Sequence, residues 1–155
     1  MYVLPEDDAN RQLANGFLLD PLVMTRNIQV LEEAGGWNQV LERFKTDYVS
    51  TMDRYERRFM VLLIDFDGKE DRLITARAAI PEHLQDRVFV IGAWSDPEGL
   101  RSQFGSPYET IGLALARDCR ENSNETWGHQ LLRHNSTEVQ RLRDQVLQIL
   151  FASPN

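Results

Sequence analysis

The sequence predicts an α/β protein, a three-layer sandwich around a small, mostly parallel, four-stranded sheet. Short apolar runs recur along the chain, and helical segments separate them, as crossover connections between parallel strands require. The clearest runs, residues 59–64 and 88–91, are apolar throughout and do not alternate with polar residues. Such runs are typical of strands that helices cover on both faces.

The predicted elements follow from apolar spacing and from residues that stop a strand. The strands cover residues 2–4, 28–31, 59–64 and 88–91, and the helices cover residues 7–19, 37–48, a segment after 95, 108–120 and 136–151. Pro5 stops the first strand, and Gly35 and Gly36 follow the second. In the amphipathic helices, apolar residues recur at intervals of three and four, which places them on one face. The pattern predicts strands and helices in alternation over most of the chain.

Capping residues indicate where the later helices begin. Ser95 is the expected N-cap of the helix after the fourth strand, with Pro97 in its first turn. Glu98 would complete a capping box there. Asn135 and Glu138 are expected to cap the last helix. Each of these residues is therefore predicted to lie in or cap the first turn of its helix.

The composition excludes several classes of protein. A chain of 155 residues with a net charge of −7 suits one domain, residues 1–155, and is too acidic to grip duplex nucleic acid by its overall charge. The single cysteine, Cys119, excludes an internal disulfide framework and leaves a Cys-based zinc site short of ligands. No apolar run approaches the roughly 18 residues of a membrane span, and the N-terminus lacks a signal-peptide pattern. We expect a cytoplasmic protein that does not contact a membrane.

Acidic residues follow three of the four predicted strands. They are Glu6, Asp7 and Asp8 after the first strand, Asp65 and Asp67 after the third, and Asp96 and Glu98 after the fourth. Ligands of open α/β sheets bind beyond the carboxyl ends of the strands. If the backbone stays extended from Asp65 to Asp67, both carboxylates point to one side and Phe66 points into the packing. Carboxylates suit Mg²⁺ or Mn²⁺, which commonly use one or two of them together with water and substrate phosphate.

Two of these acidic segments resemble the motifs of the topoisomerase-primase (Toprim) family, in the form found in OLD-family nucleases and small maturation nucleases. The segments read Val3-Leu4-Pro5-Glu6-Asp7-Asp8-Ala9-Asn10 and Leu62-Leu63-Ile64-Asp65-Phe66-Asp67-Gly68. The family has a glutamate after the first strand of a small parallel sheet and an Asp-x-Asp after a later strand. The resemblance covers about residues 1–100 and leaves the C-terminal helices, about residues 108–151, outside it.

The resemblance implies a reaction and a role for each acid. Glu6 becomes the general acid or base, and Asp65 and Asp67 become ligands of one or two Mg²⁺ or Mn²⁺ ions. Asp7 or Asp8 is expected to add a ligand. The implied function is metal-dependent phosphodiester chemistry on DNA or RNA, as in a nuclease. In a protein of this negative charge, cations bound at the acids and local arginines would have to attract the phosphates. Arginines are 15 of the 17 basic residues. Strict dependence on metal is therefore expected.

Other functions stay open at this stage. A catalytically inactive relative that binds or regulates a protein partner would keep the same scaffold, and the oligomeric state is undetermined. The Asp-x-Asp segment also resembles the nucleophile motif of haloacid-dehalogenase-like phosphatases, and phospho-receiver domains also carry acids after two strands. Both classes need a lysine downstream, and no lysine follows Lys69. Structural roles, and not zinc binding, are expected for Cys119, His129 and His134.

Overall fold

A computed structural model describes residues 1–153; Pro154 and Asn155, the end of the predicted domain, lie outside the described residues. The strands are β1 (Tyr2–Pro5), β2 (Gln29–Val30), β3 (Met60–Leu63) and β4 (Val88–Ile91). The α-helices are α1 (Asp8–Phe17), α2 (Trp37–Arg43), α3 (Val49–Arg54), α4 (Glu70–Ala78), α5 (Pro97–Phe104), α6 (Tyr108–Glu121) and α7 (Ser136–Leu150). The strands lie in the order β2-β1-β3-β4, and every pairing is parallel. The predicted α/β sandwich with a four-stranded sheet is confirmed.

Strands β1, β3 and β4 supply residues to two apolar cores, one on each face of the sheet. Val3, Val61 and Phe89 belong to a core that α1, α6 and α7 complete. Leu4 and Leu62 belong to a second core, to which α2, α3 and α4 contribute. Because successive strand residues point to opposite faces, one continuous apolar run serves both cores. This is the physical reason for the three layers.

Helices α1 and α6 cross at very short range. A methyl group on Gly112 would lie 2.0 Å from the carbonyl oxygen of Leu13, and a methyl group on Gly16 would lie 2.2 Å from that of Glu109. Only glycine, which has no Cβ, permits this approach. The crossing holds the first turns of α6 against α1, the helix that begins at the carboxyl end of β1.

Two helical segments differ from the sequence prediction. Helix α4 is not predicted because its apolar residues form no single buried stripe: Ile74 is exposed, whereas Ala76 is fully buried. The helix predicted over residues 37–48 runs further, since α2 continues through a π-helical turn (Phe44–Tyr48) into α3. None of the helices described within residues 1–153 is long and apolar enough to cross a membrane.

The expected N-cap of α5 is wrong by one residue. The N-cap is Asp96, whose Oδ1 accepts a hydrogen bond from the N–H of Gly99 at 2.7 Å. The hydroxyl of Ser95 instead donates to the backbone oxygen of Asp96. Pro97 occupies the first helical position, as predicted, because its missing N–H has no partner to lose there.

Asn135 is the N-cap residue of α7, as predicted, but its side chain forms no capping hydrogen bond. The side chains of Asn135 and Glu138 instead bind backbone groups of the edge strand β4 and of Gly92, which follows it. Asn135 exchanges two hydrogen bonds with the backbone of Gly92, at 3.2 Å and 2.9 Å. Glu138 Oε2 accepts a hydrogen bond from the N–H of Val90 at 3.0 Å. Buried backbone groups at the open side of an edge strand need partners, and these two side chains supply them.

Candidate metal and acid–base site

The parallel pairing of β1 with β3 brings two of the predicted site residues together. Pro5 lies opposite Leu63 in the register, so that Glu6 and Asp65 leave the sheet side by side. Glu6 Oε2 accepts a hydrogen bond from the backbone N–H of Asp65 at 2.8 Å. The two acids, which the sequence separates by 59 positions, therefore form one site at the carboxyl edge of the sheet.

Asp65 is a buried carboxylate in which only one of the two oxygens accepts a hydrogen bond from the described residues. Its residue is 4% exposed, and its Oδ2 accepts a hydrogen bond from Asn10 Nδ2 at 3.0 Å. Its Oδ1 is buried and has no hydrogen-bond partner among the described residues. Burial, and after it the negative charges of Glu6 and Asp7, raise the pKa of Asp65 to about 8. A cation beside Oδ1 would reverse this preference for the protonated form.

Asn10 joins the acids that follow β1 to those that follow β3. Its Nδ2 donates to Asp7 Oδ1 at 3.1 Å as well as to Asp65. The same Asp7 oxygen accepts the backbone N–H of Asn10 at 2.9 Å and so caps helix α1. Asn10 is fully buried, and its Oδ1 also lacks a partner. Two neighbouring side chains therefore each hold a buried oxygen without a hydrogen bond.

Asn10 is the site residue that the sequence analysis missed. One signal could have found it, because Asn10 lies three and four positions before Leu13 and Ala14, on the buried face of α1. A polar residue inside the apolar stripe of a helix needs a buried partner. The partner here is Asp65, which is far away in the sequence.

The surroundings of Glu6 shift its pKa upward. Burial raises its pKa above the ordinary value, and the charges of Asp7 and Asp67 add to the rise. The hydrogen bond from the Asp65 N–H and the positive charge of Arg72 oppose it. The site therefore keeps a proton on Glu6 to a higher pH than an exposed glutamate would.

The chain turns at Asp67, so the extended geometry expected for Asp65 and Asp67 is not found. Asp67 has φ of 50°, in the left-handed region. Its carboxylate pairs with Arg72 Nη2 at 2.9 Å, and Arg72 Nη1 donates to the backbone oxygen of Asp65 at 2.7 Å. The guanidinium also lies 5.0 Å from the ring centroid of Trp37. Arg72, on the unpredicted helix α4, thus holds the turn that carries both aspartates.

Phe66, between the two aspartates, does point into the packing as expected. It is fully buried, and its ring centroid lies 5.3 Å from that of His134 and 6.2 Å from that of Trp94. Burial lowers the pKa of His134, which favours the neutral imidazole. The rings of His134 and Trp94 therefore pack against Phe66, within the turn that carries the two aspartates.

Asp8 makes contacts of a different kind. It is exposed at the start of α1, where its carboxylate accepts hydrogen bonds from Arg11 and from Gln12 at 2.6 Å.

Within residues 1–153, no group of three or more His, Cys, Asp or Glu side chains is arranged to hold a metal ion. The contacts that unite the site are those among Glu6, Asp7, Asn10 and Asp65.

The remaining chemistry-bearing residues lie in packing positions. Cys119 is buried in the core on the α6 side, and burial raises the pKa of its thiol to about 11. His129 packs on Phe104, with ring centroids 4.5 Å apart. Trp127 donates its indole N–H to the backbone oxygen of Leu115 at 3.1 Å. These contacts agree with structural roles for this part of the chain.

Comparisons with known proteins do not add a function. Neither a scan against models of protein families nor searches of curated proteins and of solved structures give a match to this chain. Function therefore has to be argued from the chemistry of the site.

Proposed function

We propose that this protein performs metal-dependent phosphodiester chemistry on nucleic acid, with Mg²⁺ or Mn²⁺ bound at the carboxyl edge of β1 and β3. The observation that carries the proposal is the buried Asp65 carboxylate, whose Oδ1 lacks a hydrogen-bond partner. Burying such a group is costly unless it is paired or binds a metal. A side chain that raises the free energy of the folded protein in this way is typical of a functional site.

The residues at this edge suit a hard divalent cation. The available ligand atoms are all oxygens: Asp65 Oδ1 and Asn10 Oδ1 have no partner among the described residues, and Asp7 Oδ1 lies 3.1 Å from the amide nitrogen of Asn10. Mg²⁺ usually keeps several waters and takes one or two protein carboxylates, together with phosphate oxygens of the substrate. A site with two carboxylates and one amide oxygen meets that requirement without a third acid.

The side chains divide the chemical work between them. When bound, the cation would supply positive charge that stabilises the developing charge on the scissile phosphate. Asp65, with Asp7 and Asn10, would hold it. Glu6, whose pKa is raised, would accept or donate the proton of the reaction. Arg72 fixes the turn at Asp67 through an ion pair. If this ion pair opened, the Asp67 carboxylate would become a further ligand of the cation.

The test is cleavage of DNA and RNA substrates with Mg²⁺ or Mn²⁺, combined with Mn²⁺ titration by calorimetry. We expect Glu6→Gln to retain metal binding and lose activity, whereas Asp65→Asn should lose both. Asp144→Asn is the matched control, because Asp144 is exposed on α7 and its carboxylate accepts a hydrogen bond from the exposed Gln140. Equal activity of the wild-type protein and both site variants would contradict the proposal.

A second function, a non-catalytic binding or regulatory module, is favoured by one observation. Several acids of the site already have structural partners: Asp67 pairs with Arg72, and Asp7 caps α1. In this alternative the acids stabilise the loops of the sheet edge. Absence of Mn²⁺ binding in calorimetry, together with a stable stoichiometric complex with another protein, would favour the module over the enzyme.

A further inference from the structure

A surface cavity lies between α5 and the start of α6. Its volume is about 390 Å³, and it is lined by Glu98, Arg101, Ser102, Gly105, Ser106 and Pro107. Cavities of about 300–1,000 Å³ are the usual size of small-molecule sites, so one nucleotide of a strand fits this volume. The cavity is therefore large enough for a defined ligand group.

Arg101 is the cationic group of this cavity. Its side chain is exposed and forms no ion pair with any residue in the described part of the chain. The guanidinium carbon lies 5.7 Å from the ring centroid of Tyr108, which is 7% exposed. The buried ring therefore gives Arg101 a fixed support while its N–H donors stay available.

The cavity is formed in part by the helix that follows β4, at the sheet edge that carries the candidate metal and acid–base site. Helix α5 begins at Pro97, after a short loop from the end of β4 at Ile91, and so follows the same carboxyl edge of the sheet as Glu6 and Asp65. Burial, and after it the charges of Glu98, Asp7 and Asp65, raise the pKa of Tyr108, while Arg101 opposes the rise. Tyr108 thus lies within electrostatic range of both the cavity and the acids.

We propose that this cavity binds a nucleotide of the nucleic-acid strand beside the reacting phosphodiester, with Arg101 as the side chain that contacts its phosphate. Arginine and serine side chains are frequent donors to phosphate oxygens, and Ser102 and Ser106 line the same cavity. The inference rests on the proposed function, because it assigns a strand to the site at the neighbouring sheet edge. It adds a position at which a side chain of this acidic protein contacts the strand without a metal ion between them.

Glu98 makes the direction of the effect testable. Its carboxylate lines the same cavity and would repel a phosphate there. Removal of the Glu98 charge should therefore tighten binding, whereas removal of the Arg101 charge should weaken it. General loss of fold cannot produce these opposite responses together.

The experiment measures binding of a fluorescent single-stranded 12-mer, as DNA and as RNA of the same sequence, by anisotropy in Ca²⁺ buffer over a range of salt. We expect Arg101→Ala to weaken binding about tenfold and to reduce the slope of log K against log salt by about 0.7, the value for one phosphate contact of a single strand. Glu98→Gln should tighten binding. Arg117→Ala is the matched control, since Arg117 is an exposed arginine on α6 outside the cavity. Arg101→Lys, which keeps the charge, should recover part of the affinity.

The outcomes separate this inference from the proposed function. Weaker binding by Arg101→Ala and unchanged binding by Arg117→Ala support the cavity, even if no cleavage occurs. Cleavage by wild type and by Arg101→Ala with the same KM overturns the cavity assignment and leaves the proposed function standing. Equal losses in both arginine variants, or no binding of either oligonucleotide by the wild type, also overturn it.

Discussion

Glu6 and Asp65 are joined by a hydrogen bond in which the backbone N–H of Asp65 donates to Glu6 Oε2 at 2.8 Å. The bond connects the ends of two neighbouring parallel strands at the edge where ligands of such sheets bind. It leaves one oxygen of Glu6 for other chemistry. Glu6 therefore has a structural contact and an unused oxygen at the same time, and substitutions can separate the two roles.

Replacement of Glu6 by glutamine should preserve the fold and remove the titrating group. The amide oxygen of glutamine can still accept the Asp65 N–H, so we expect a change of less than about 1 kcal/mol in the free energy of unfolding. Glu6→Ala leaves that N–H without its partner and should cost about 1–3 kcal/mol. Urea denaturation of both variants measures the difference. Equal stability of the two variants would mean that the hydrogen bond contributes nothing.

Asp65 should make the metal-free protein less stable as the pH rises. Its pKa is about 8 in the folded protein against 3.8 as the ordinary value, so folding favours the protonated form. The contribution to stability is fully present below the ordinary pKa and is lost as the pH rises through the folded pKa. Asp65→Asn removes this titration. Between pH 4 and pH 8, the free energy of unfolding of the wild type should therefore fall relative to that of the variant.

The size of that fall has an upper limit of about 6 kcal/mol, since the pKa of Asp65 rises from 3.8 to about 8 and each pKa unit corresponds to about 1.4 kcal/mol. Denaturation at several pH values in EDTA measures it. Added Mn²⁺ at pH 8 should then raise the Tm of the wild type more than that of the variant. Parallel pH profiles of the two proteins in EDTA would show that Asp65 is not the titrating group.

The contact between Asn135 and the edge strand should be a large source of stability. Asn135 is 1% exposed and forms three hydrogen bonds, two with Gly92 and one with the backbone oxygen of Leu132. We expect Asn135→Ala to lower the free energy of unfolding by about 2–4 kcal/mol, because the buried backbone groups of Gly92, directly after β4, lose their partners. Gln140→Ala, on the exposed side of the same helix, is the control. A loss of similar size in both variants would argue against a role for the strand contact.

The crossing of α1 and α6 should not tolerate a methyl group. Gly112→Ala would bring its Cβ to 2.0 Å from the carbonyl oxygen of Leu13, so the helices must separate. We expect a cost of about 3 kcal/mol or more in the free energy of unfolding. Thr110→Ala, at an exposed position of α6, should stay within about 0.5 kcal/mol of the wild type. Thermal unfolding of both variants distinguishes a local clash from a general sensitivity of the helix.

Local patterns of the sequence determined the fold class. Apolar runs such as residues 59–64 and 88–91 predicted buried strands, and the structure has β3 and β4 there. Apolar intervals of three and four predicted α6 and α7 closely. These features depend on neighbours within a few positions, so spacing alone carries the information. The acids after β1 and β3 were visible for the same reason.

Tertiary structure decided which side chains form the site. Asn10 bridges Asp7 to Asp65, which lies 55 positions later in the sequence. Arg72 is close to Asp67 in the sequence, but it holds the turn there from a helix that apolar spacing did not indicate. The side chains of Asn135 and Glu138 were predicted to cap a helix, but they bind backbone groups at the edge strand, more than 40 positions away. A buried polar group takes the partner that folding brings within about 3 Å. Which partner that is depends on strand order and helix crossing, and local spacing does not contain that information.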